Sequence, residues 1–305
     1  MRTRDYTRRD LLGFGAGLSV AMISGDGLAQ PAAPMLKRPI PHSGETIPVI
    51  GLGTANNFGN ADRGELRKVF EALVGGGATL IDTASTYGSA EAVIGDVLTK
   101  AKLLDKVFIA TKLEAETAKE GLPEFRSSLR KLRVKKVDVQ MLHNVNKAHQ
   151  SLAYLRDWKA QGLCRYMGIT STFPRDFAAM EAVIKREKPD FVELNYSLGD
   201  REVESRLLPA CVDVGAAVLT ALPLGRSSLF RVVRGKELPE WAKEFDVASW
   251  GQFFLKFLLG NKAVTAVIPG TTNAEHMADN LAAGRGRLPD QAQRKRMVQL
   301  FESLR

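Results

Sequence analysis

Strands and helices alternate regularly along this chain, and that alternation constrains the fold more than any other feature. Eight short apolar and β-branched runs predict strands: Val49–Gly53, Thr79–Thr83, Val107–Lys112, Asp138–His143, Tyr166–Thr170, Asp190–Asn195, Ala217–Leu222 and Thr265–Pro269. The helical patterns between them are Gly64–Leu73, Ala90–Lys100, Leu122–Leu132, Leu152–Lys159, Arg175–Arg186, Val203–Val214, Val247–Leu259 and Ala274–Leu281. Eight such units predict an α/β protein, a (β/α)8 or TIM barrel formed as a single domain by residues 30–305.

An open, doubly wound sheet is the main alternative to the barrel. Such a sheet usually has fewer strands and carries a phosphate-binding glycine fingerprint after the first one. Here the first strand continues as Gly51-Leu52-Gly53-Thr54-Ala55-Asn56, which departs from G-x-G-x-x-G at its last position. The sequence therefore favours the barrel.

Two segments interrupt the regular alternation. Leu36–Ile40 and Thr46–Val49 flank a short turn, and they predict a hairpin that closes the floor of the barrel. Residues 223 to 246, between the seventh strand and its helix, form an unusually long connection. Connections of that length are often lids or binding loops, so we expect this one to cover a bound cofactor at the mouth.

The N-terminus has the order of regions typical of an export signal. Arg8 and Arg9 precede a Gly/Ala/Leu-rich stretch from Gly13 to Ile23, and small residues up to Ala29 suit cleavage. Paired arginines resemble a twin-arginine signal, whose route carries folded proteins. Residues 1–29 therefore predict a signal peptide and a periplasmic protein without stable membrane insertion, or a cytoplasmic one if the signal does not function.

Charge and cysteine content exclude some classes of function. The formal net charge is +9, but the basic residues are dispersed and no stacking aromatics interleave them, so nucleic-acid binding is not expected. Cys164 and Cys211 have apolar neighbours and predict buried free thiols rather than a disulfide, a metal site or a catalytic thiol.

Four polar residues lie at or just past the ends of the second, third and fourth predicted strands: Asp82, Tyr87, Lys112 and His143. In a barrel all strand ends of one polarity meet at one rim, so these side chains should surround one pocket. A lysine ammonium lowers the pKa of a nearby phenol, and an aspartate holds that lysine in place. This set suits a tyrosine that donates a proton while a nicotinamide supplies hydride.

The chain from about Val49 to Asn280 resembles the aldo-keto reductase family. Asp82-Thr83-Ala84-Ser85-Thr86-Tyr87-Gly88 is similar to its aspartate–tyrosine signature, and Lys112 and His143 match the rest of its catalytic tetrad. Four further segments resemble family landmarks in the same order: Gly51-Leu52-Gly53-Thr54, Gly168-Ile169-Thr170-Ser171, Asn195-Tyr196-Ser197-Leu198 and Ile268-Pro269-Gly270-Thr271.

The resemblance implies that Tyr87 is the general acid, that Lys112 and Asp82 tune it, and that His143 orients a carbonyl substrate. It also implies that NADP(H), or alternatively NAD(H), is bound without a Rossmann fold. The cofactor-binding residues implied are Gly53, Thr54, Thr170, Ser171, Glu193, Leu222, Pro223, Leu224, Gly225, Ile268, Gly270, Thr271, Thr272, His276 and Asn280.

Three positions depart from the family pattern. Glu193 stands where the family often has glutamine, and a carboxylate accepts hydrogen bonds but does not donate them. Ala221 replaces the tyrosine that many members stack on the nicotinamide, and His276 is nearest in register to an arginine that often binds the 2′-phosphate. We expect these changes to alter cofactor binding.

The sequence predicts an NAD(P)H-dependent reductase of an aldehyde or ketone that also engages the export machinery. Two alternatives belong to other classes. One is a non-catalytic nucleotide-binding or regulatory barrel protein of the cell envelope, since fold alone does not decide function. The other is a sugar-cleaving barrel, which needs two catalytic carboxylates, and Glu91, the partner available to Asp82, is predicted inside a helix.

Overall fold

Eight parallel strands form the centre of the protein. A computed structural model describes residues 33–115, 117–145 and 152–305, so the predicted signal peptide lies outside the described residues. The strands of the sheet, numbered after a short N-terminal pair, are β3 Leu52–Gly53, β4 Leu80–Asp82, β5 Phe108–Leu113, β6 Val137–Leu142, β7 Cys164–Ser171, β8 Phe191–Asn195, β9 Ala217–Ala221 and β10 Ala266–Val267. Each pairs in parallel with the next one along the chain.

The first and last strands also meet. Isolated parallel bridges join Ile50 to Val267 and Gly53 to Gly270, and the amide of Gly51 donates to the carbonyl of Val267 at 2.8 Å. These contacts close the sheet on itself, which confirms the predicted (β/α)8 barrel. All the carboxyl ends of the strands consequently face one rim.

Helices surround the barrel, and those of the repeating units are α1 Arg63–Gly75, α2 Ala90–Ala101, α3 Ala118–Leu132, α4 Ala153–Ala160, α5 Phe177–Glu187, α6 Leu207–Val214, α8 Trp250–Leu259 and α9 Ala274–Ala283. Two more helices were not predicted, α7 Ser228–Val232 and the C-terminal α10 Gln291–Ser303. The α10 helix begins with a capping box between Asp290 and Gln293 and buries Met297 and Phe301. The sequence pattern misses it because only these two of its side chains are fully buried.

The floor of the barrel is plugged by the predicted hairpin. Its strands, β1 Lys37–Pro39 and β2 Thr46–Pro48, pair antiparallel. Ile40 and Ile47 pack in one buried cluster with inward-facing strand residues that include Leu80 and Phe108. A second and larger apolar core lies between the sheet and the helices. With the floor filled by side chains, the open end is the rim at the carboxyl ends of the strands.

The long connection after β9 is folded against the barrel rather than extended over it. It contains α7 and 3-10 turns at Gly225–Ser227 and Glu240–Phe245. Trp241 packs on Phe245 and Phe253, and Leu229 is buried. Its expected role as a cover for the cofactor stays a prediction.

Both cysteines are buried and free, as the sequence indicated. Within residues 33–115, 117–145 and 152–305 no helix is long and apolar enough to cross a membrane.

Candidate active site

The central contact of the rim is a buried ion pair between Lys112 and Asp82. In the parallel pair β4–β5, Asp82 lies opposite Ala110, and Lys112 follows two residues later on the same face. Lys112 Nζ donates to Asp82 Oδ1 at 2.6 Å and Oδ2 at 2.5 Å, and also to the carbonyl of Thr83 at 3.0 Å. Its side chain is 0% exposed and that of Asp82 is 4% exposed. The pair is therefore shielded from solvent and held rigidly by the two strands.

Glu193 on β8 adds a second carboxylate to this pair. Its Oε2 lies 3.2 Å from Lys112 Nζ, yet it has no hydrogen-bond partner. An ammonium has three hydrogens, and the two oxygens of Asp82 and the Thr83 carbonyl already accept them. The cluster thus combines two buried carboxyls with one ammonium.

This charge arrangement shifts the pKa of both members of the ion pair. Burial, followed by the nearby Glu193, raises the pKa of Asp82 well above its usual range, although Lys112 opposes the shift. Burial alone would lower the pKa of Lys112, but the two carboxylates outweigh it and raise that pKa above its ordinary value. Lys112 therefore carries its positive charge throughout the physiological range.

Tyr87 lies above the cluster on the turn that follows β4. Its amide donates to the carbonyl of Ala84, and Gly88 takes a positive φ of 60° that favours glycine. Lys112 Nζ is 5.4 Å from the centroid of the Tyr87 ring. Burial raises the pKa of the phenol to about 12 despite the opposing effect of Lys112. Lys112 lowers this pKa as expected, but burial and the charges of Asp82 and Glu193 outweigh the ammonium, so the net shift is upward.

His143 follows β6 and faces Tyr87. The two ring centroids are 5.7 Å apart in an edge-on arrangement. Nδ1 lies 3.3 Å from Thr86 Oγ1 and 3.6 Å from Glu114 Oε1. Burial, together with the charge of Lys112, lowers the pKa of His143 from 6.5 to about 4. The imidazole is therefore neutral at physiological pH and can donate one hydrogen bond.

A cavity of about 600 Å³ opens above these residues. Three of the four predicted catalytic residues line it, whereas Lys112 lies beneath Tyr87 and reaches the cavity only through its contacts. Of the predicted cofactor residues, nine line the cavity: Gly53, Thr54, Thr170, Glu193, Leu222, Pro223, Leu224, Ile268 and Gly270. Seven of the eight predicted strands, all but the third, thus contribute lining residues to one cavity, and the third places Lys112 beneath Tyr87.

Six predicted cofactor residues do not line the cavity: Ser171, Gly225, Thr271, Thr272, His276 and Asn280. The hydroxyl of Ser171 instead donates to Asp176 Oδ2 at 2.9 Å. Thr271 and Asn273 organise the start of α9, where the backbone amide of His276 donates to Asn273 Oδ1. The roles of these six residues toward a cofactor stay predictions.

Sequence reasoning missed several lining residues, among them Asn60, Ser89, Asn144, Arg226 and Ser227. Arg226 and Ser227 have positive φ values, of 51° and 67°. Positive φ is usually signalled by glycine or asparagine, and neither residue type stands at these two positions, so the sequence carried no sign of this turn. Asn144 also has a positive φ, of 53°, and its side chain donates to Glu114 Oε1. Asparagine tolerates positive φ and favours turns, so Asn144, directly after His143, was the one signal of a turn at this point in the sequence.

The fold and the site together define a class of protein: a (β/α)8 barrel with a phenol, an imidazole and a buried ammonium–carboxylate pair at its mouth. Residues 49–299 match the Aldo/keto reductase family. The chain belongs to that family and is an oxidoreductase.

Two comparisons illustrate the relationship. Methylglyoxal reductase YeaE of Escherichia coli is 28% identical over 263 residues, which are 81% of this chain and 89% of that protein. The thermostable aldo-keto reductase Tm1743, solved with the inhibitor epalrestat, is 27% identical to this chain, with a TM-score of 0.71. The superposition covers 89% of this chain and 100% of the Tm1743 chain.

An aldo-keto reductase from Klebsiella pneumoniae, solved in complex with NADPH, is similar in fold. Its TM-score is 0.73 at 23% identity, over 88% of this chain and 96% of that one.

Proposed function

We propose that this protein is an NADP(H)-dependent reductase of aldehydes or ketones, with Tyr87 as the general acid. The observation that carries the proposal is the position of Tyr87 between a buried Lys112–Asp82 ion pair and the neutral ring of His143. A protein that only binds a nucleotide has no need for an ammonium buried beneath a phenol. The family membership and the Escherichia coli methylglyoxal reductase support the same activity.

The proposed chemistry assigns one step to each residue. His143 donates a hydrogen bond from its protonated ring nitrogen to the carbonyl oxygen of the substrate. This hydrogen bond holds the oxygen beside the phenol of Tyr87. When Thr86 donates to Nδ1, the protonated nitrogen of His143 is Nε2. Tyr87 stays protonated, since its pKa is about 12, and gives its proton to the oxygen as charge develops there. Lys112 stabilises the phenolate that remains.

A bound nicotinamide would supply the hydride. The fit of this chain to that group rests on two features. The cavity, of about 600 Å³, has the size of an ordinary ligand site. In addition, the unpartnered oxygen of Glu193 offers a buried acceptor for an amide N–H. The Klebsiella neighbour is described in complex with NADPH, which makes that coenzyme the first to test.

The experiment measures the loss of reduced-nicotinamide absorbance with NADPH and then NADH, starting with methylglyoxal and extending to a panel of aldehydes and ketones. Tyr87→Phe is the test variant, and Tyr154→Phe is the matched control because Tyr154 is buried outside the cavity. We expect Tyr87→Phe to reduce kcat/KM by roughly 10³-fold, the range of general-acid effects, and the control to keep its turnover.

No turnover by the wild-type protein with either coenzyme would contradict the proposal. The non-catalytic nucleotide-binding alternative would then become the leading explanation if NADPH still bound. The same assay compares NADPH with NADH and so addresses the coenzyme preference left open by His276.

The proposal includes export of the folded protein to the periplasm, with residues 1–29 as a twin-arginine signal. It rests on the order of the basic, apolar and small-residue regions. Changing both Arg8→Lys and Arg9→Lys should move the protein from the periplasmic to the cytoplasmic fraction. An unchanged distribution would contradict a twin-arginine signal.

Export raises a further point, because a replenished nicotinamide pool is not expected outside the cytoplasm. We therefore propose that the cofactor leaves already bound and is retained by the connection over residues 223–246. Nicotinamide should then be released when the purified, dialysed protein is denatured. A denatured protein that releases none would contradict retention.

A further inference from the structure

Glu193 is a buried acid on the cavity wall, and its Oε2 has no hydrogen-bond partner although it lies 3.2 Å from Lys112 Nζ. Its side chain is 3% exposed, and it lines the cavity together with Tyr87 and His143. Lys112 cannot donate to Oε2, because its three hydrogens already go to Asp82 and Thr83. The oxygen is therefore available to a group that binds in the cavity.

Glu193 also shares its nearest cation with a second acid. Lys112 lies beneath Tyr87, and its ammonium contacts the carboxyls of both Asp82 and Glu193. His143 is close by but neutral, and Arg226 is exposed at the rim, where solvent screens its charge. A ligand deep in the cavity therefore meets the acidic side chain of Glu193 directly, whereas the ammonium of Lys112 is covered by Tyr87.

We infer that Glu193 makes this site bind the oxidised coenzyme in preference to the reduced one. The inference rests on the proposed function, since it requires a nicotinamide in the cavity. An oxidised nicotinamide ring carries a positive charge, and the reduced ring carries none. A buried carboxylate near the ring attracts only the cationic form, whereas the amide N–H is offered to Glu193 in both forms.

This preference affects the direction of the reaction. In the proposed reaction a bound nicotinamide would supply the hydride for the carbonyl carbon, and Tyr87 gives its proton to the oxygen. Because a nicotinamide that supplies hydride would become cationic, a carboxylate that stabilises the oxidised form would favour the supply of hydride. Glu193 is thus a specificity-determining residue for the redox state of the coenzyme.

The experiment is equilibrium titration of the purified protein with NADP+ and with NADPH, followed by tryptophan fluorescence or calorimetry. The test variant is Glu193→Gln, which keeps the shape of the side chain and removes its charge. The matched control is Glu91→Gln, because Glu91 is 1% exposed and also has an oxygen without a hydrogen-bond partner near a lysine, Lys131, but lies on α2 outside the cavity.

We expect the ratio of the Kd for NADPH to the Kd for NADP+ to fall roughly 10-fold in Glu193→Gln, mainly through weaker binding of NADP+. The ratio in Glu91→Gln should match that of the wild type. Glu193→Asp keeps the charge and should keep most of the preference. Glu193→Met provides a second neutral variant if the glutamine substitution prevents folding.

An unchanged ratio in the neutral variants, with both coenzymes still bound, would overturn this inference and leave the proposed function intact. Failure of the wild-type protein to bind either coenzyme would overturn both. The two failures are therefore distinguishable in one set of titrations.

Discussion

Among the residues that the structure describes, two lysines are fully buried, and they are held in opposite ways. Lys112 lies under the cavity between the carboxylates of Asp82 and Glu193. Lys256, on α8, donates to three backbone carbonyls, those of Phe245, Arg285 and Arg287, at 2.9, 2.7 and 2.8 Å. The carboxylates raise the pKa of Lys112, whereas burial lowers the pKa of Lys256 to about 8.

The difference separates two uses of a buried charge. Carbonyl groups satisfy the hydrogens of Lys256 and tie the end of the 240–245 turn to the segment after α9, which is a structural role. Carboxylates hold Lys112 charged beside Tyr87, where an ammonium can influence proton transfer. We expect changes at Lys112 to affect chemistry and stability, and changes at Lys256 to affect stability alone.

The largest effect on stability should come from Lys112→Met. It leaves the two carboxyls of Asp82 and Glu193 buried without a cation, and breaking a buried pair in this way typically costs about 3–5 kcal/mol. Urea unfolding at pH 7 measures the loss. Lys112 opposes the rise in the pKa of Asp82, so without the ammonium that pKa should lie still further above its unfolded value. The variant should therefore recover stability relative to wild type as the pH is lowered and Asp82 is protonated. A loss independent of pH would contradict the charge account.

A smaller loss is expected for Lys256→Met. Three buried carbonyls lose their donor, which should lower the free energy of unfolding by about 2–4 kcal/mol. Because the partners of Lys256 among the described residues are all backbone carbonyls, the loss should not depend on carboxyl titration in the way that the Lys112→Met loss does. Parallel urea titrations at pH 5 and pH 7 compare the two variants.

The two lysines also indicate how much of this molecule its sequence predicted. The barrel, its floor hairpin and the meeting of Tyr87 with His143 at the rim follow from local patterns and strand polarity. The contact of Glu193 with Lys112 does not, because β8 and β5 are not adjacent and only closure of the barrel brings them together. Lys256 lies within the apolar run Phe253–Leu259, and the three carbonyls that surround it come from distant segments. Its position could not be derived from the periodicity of α8.

A further effect on stability is expected from His143, whose pKa is lowered by burial and by the charge of Lys112. Its pKa is lowered in the folded protein from 6.5 to about 4, so between these values the unfolded chain binds more protons. The stability contributed by neutral His143 is thus present above pH 6.5 and lost as the pH falls toward 4, by on the order of 3 kcal/mol. Unfolding titrations of His143→Asn should lack this part of the pH dependence. His276→Gln, a change at an exposed histidine, is the control and should retain it.

The smallest effect is expected at the edge of the Lys256 site. Asp246 pairs with Arg287 at 2.8 Å, but the two side chains are 45% and 65% exposed. Asp246→Asn should therefore cost about 1 kcal/mol or less, and high salt should reduce the cost. A loss as large as that of Lys256→Met would mean that the carbonyl contacts of Lys256 depend on this ion pair. Thermal unfolding at low and high salt distinguishes the two outcomes.

The most direct test of the account is the reductase activity of Lys112→Met and Lys256→Met, measured with NADPH and methylglyoxal and corrected for the folded fraction. We predict that Lys112→Met lowers kcat/KM by roughly 10²- to 10⁴-fold, while Lys256→Met stays within about threefold of wild type. Equal losses in the two variants, or near-normal turnover by Lys112→Met, would contradict the assignment of Lys112 to the chemistry of this site.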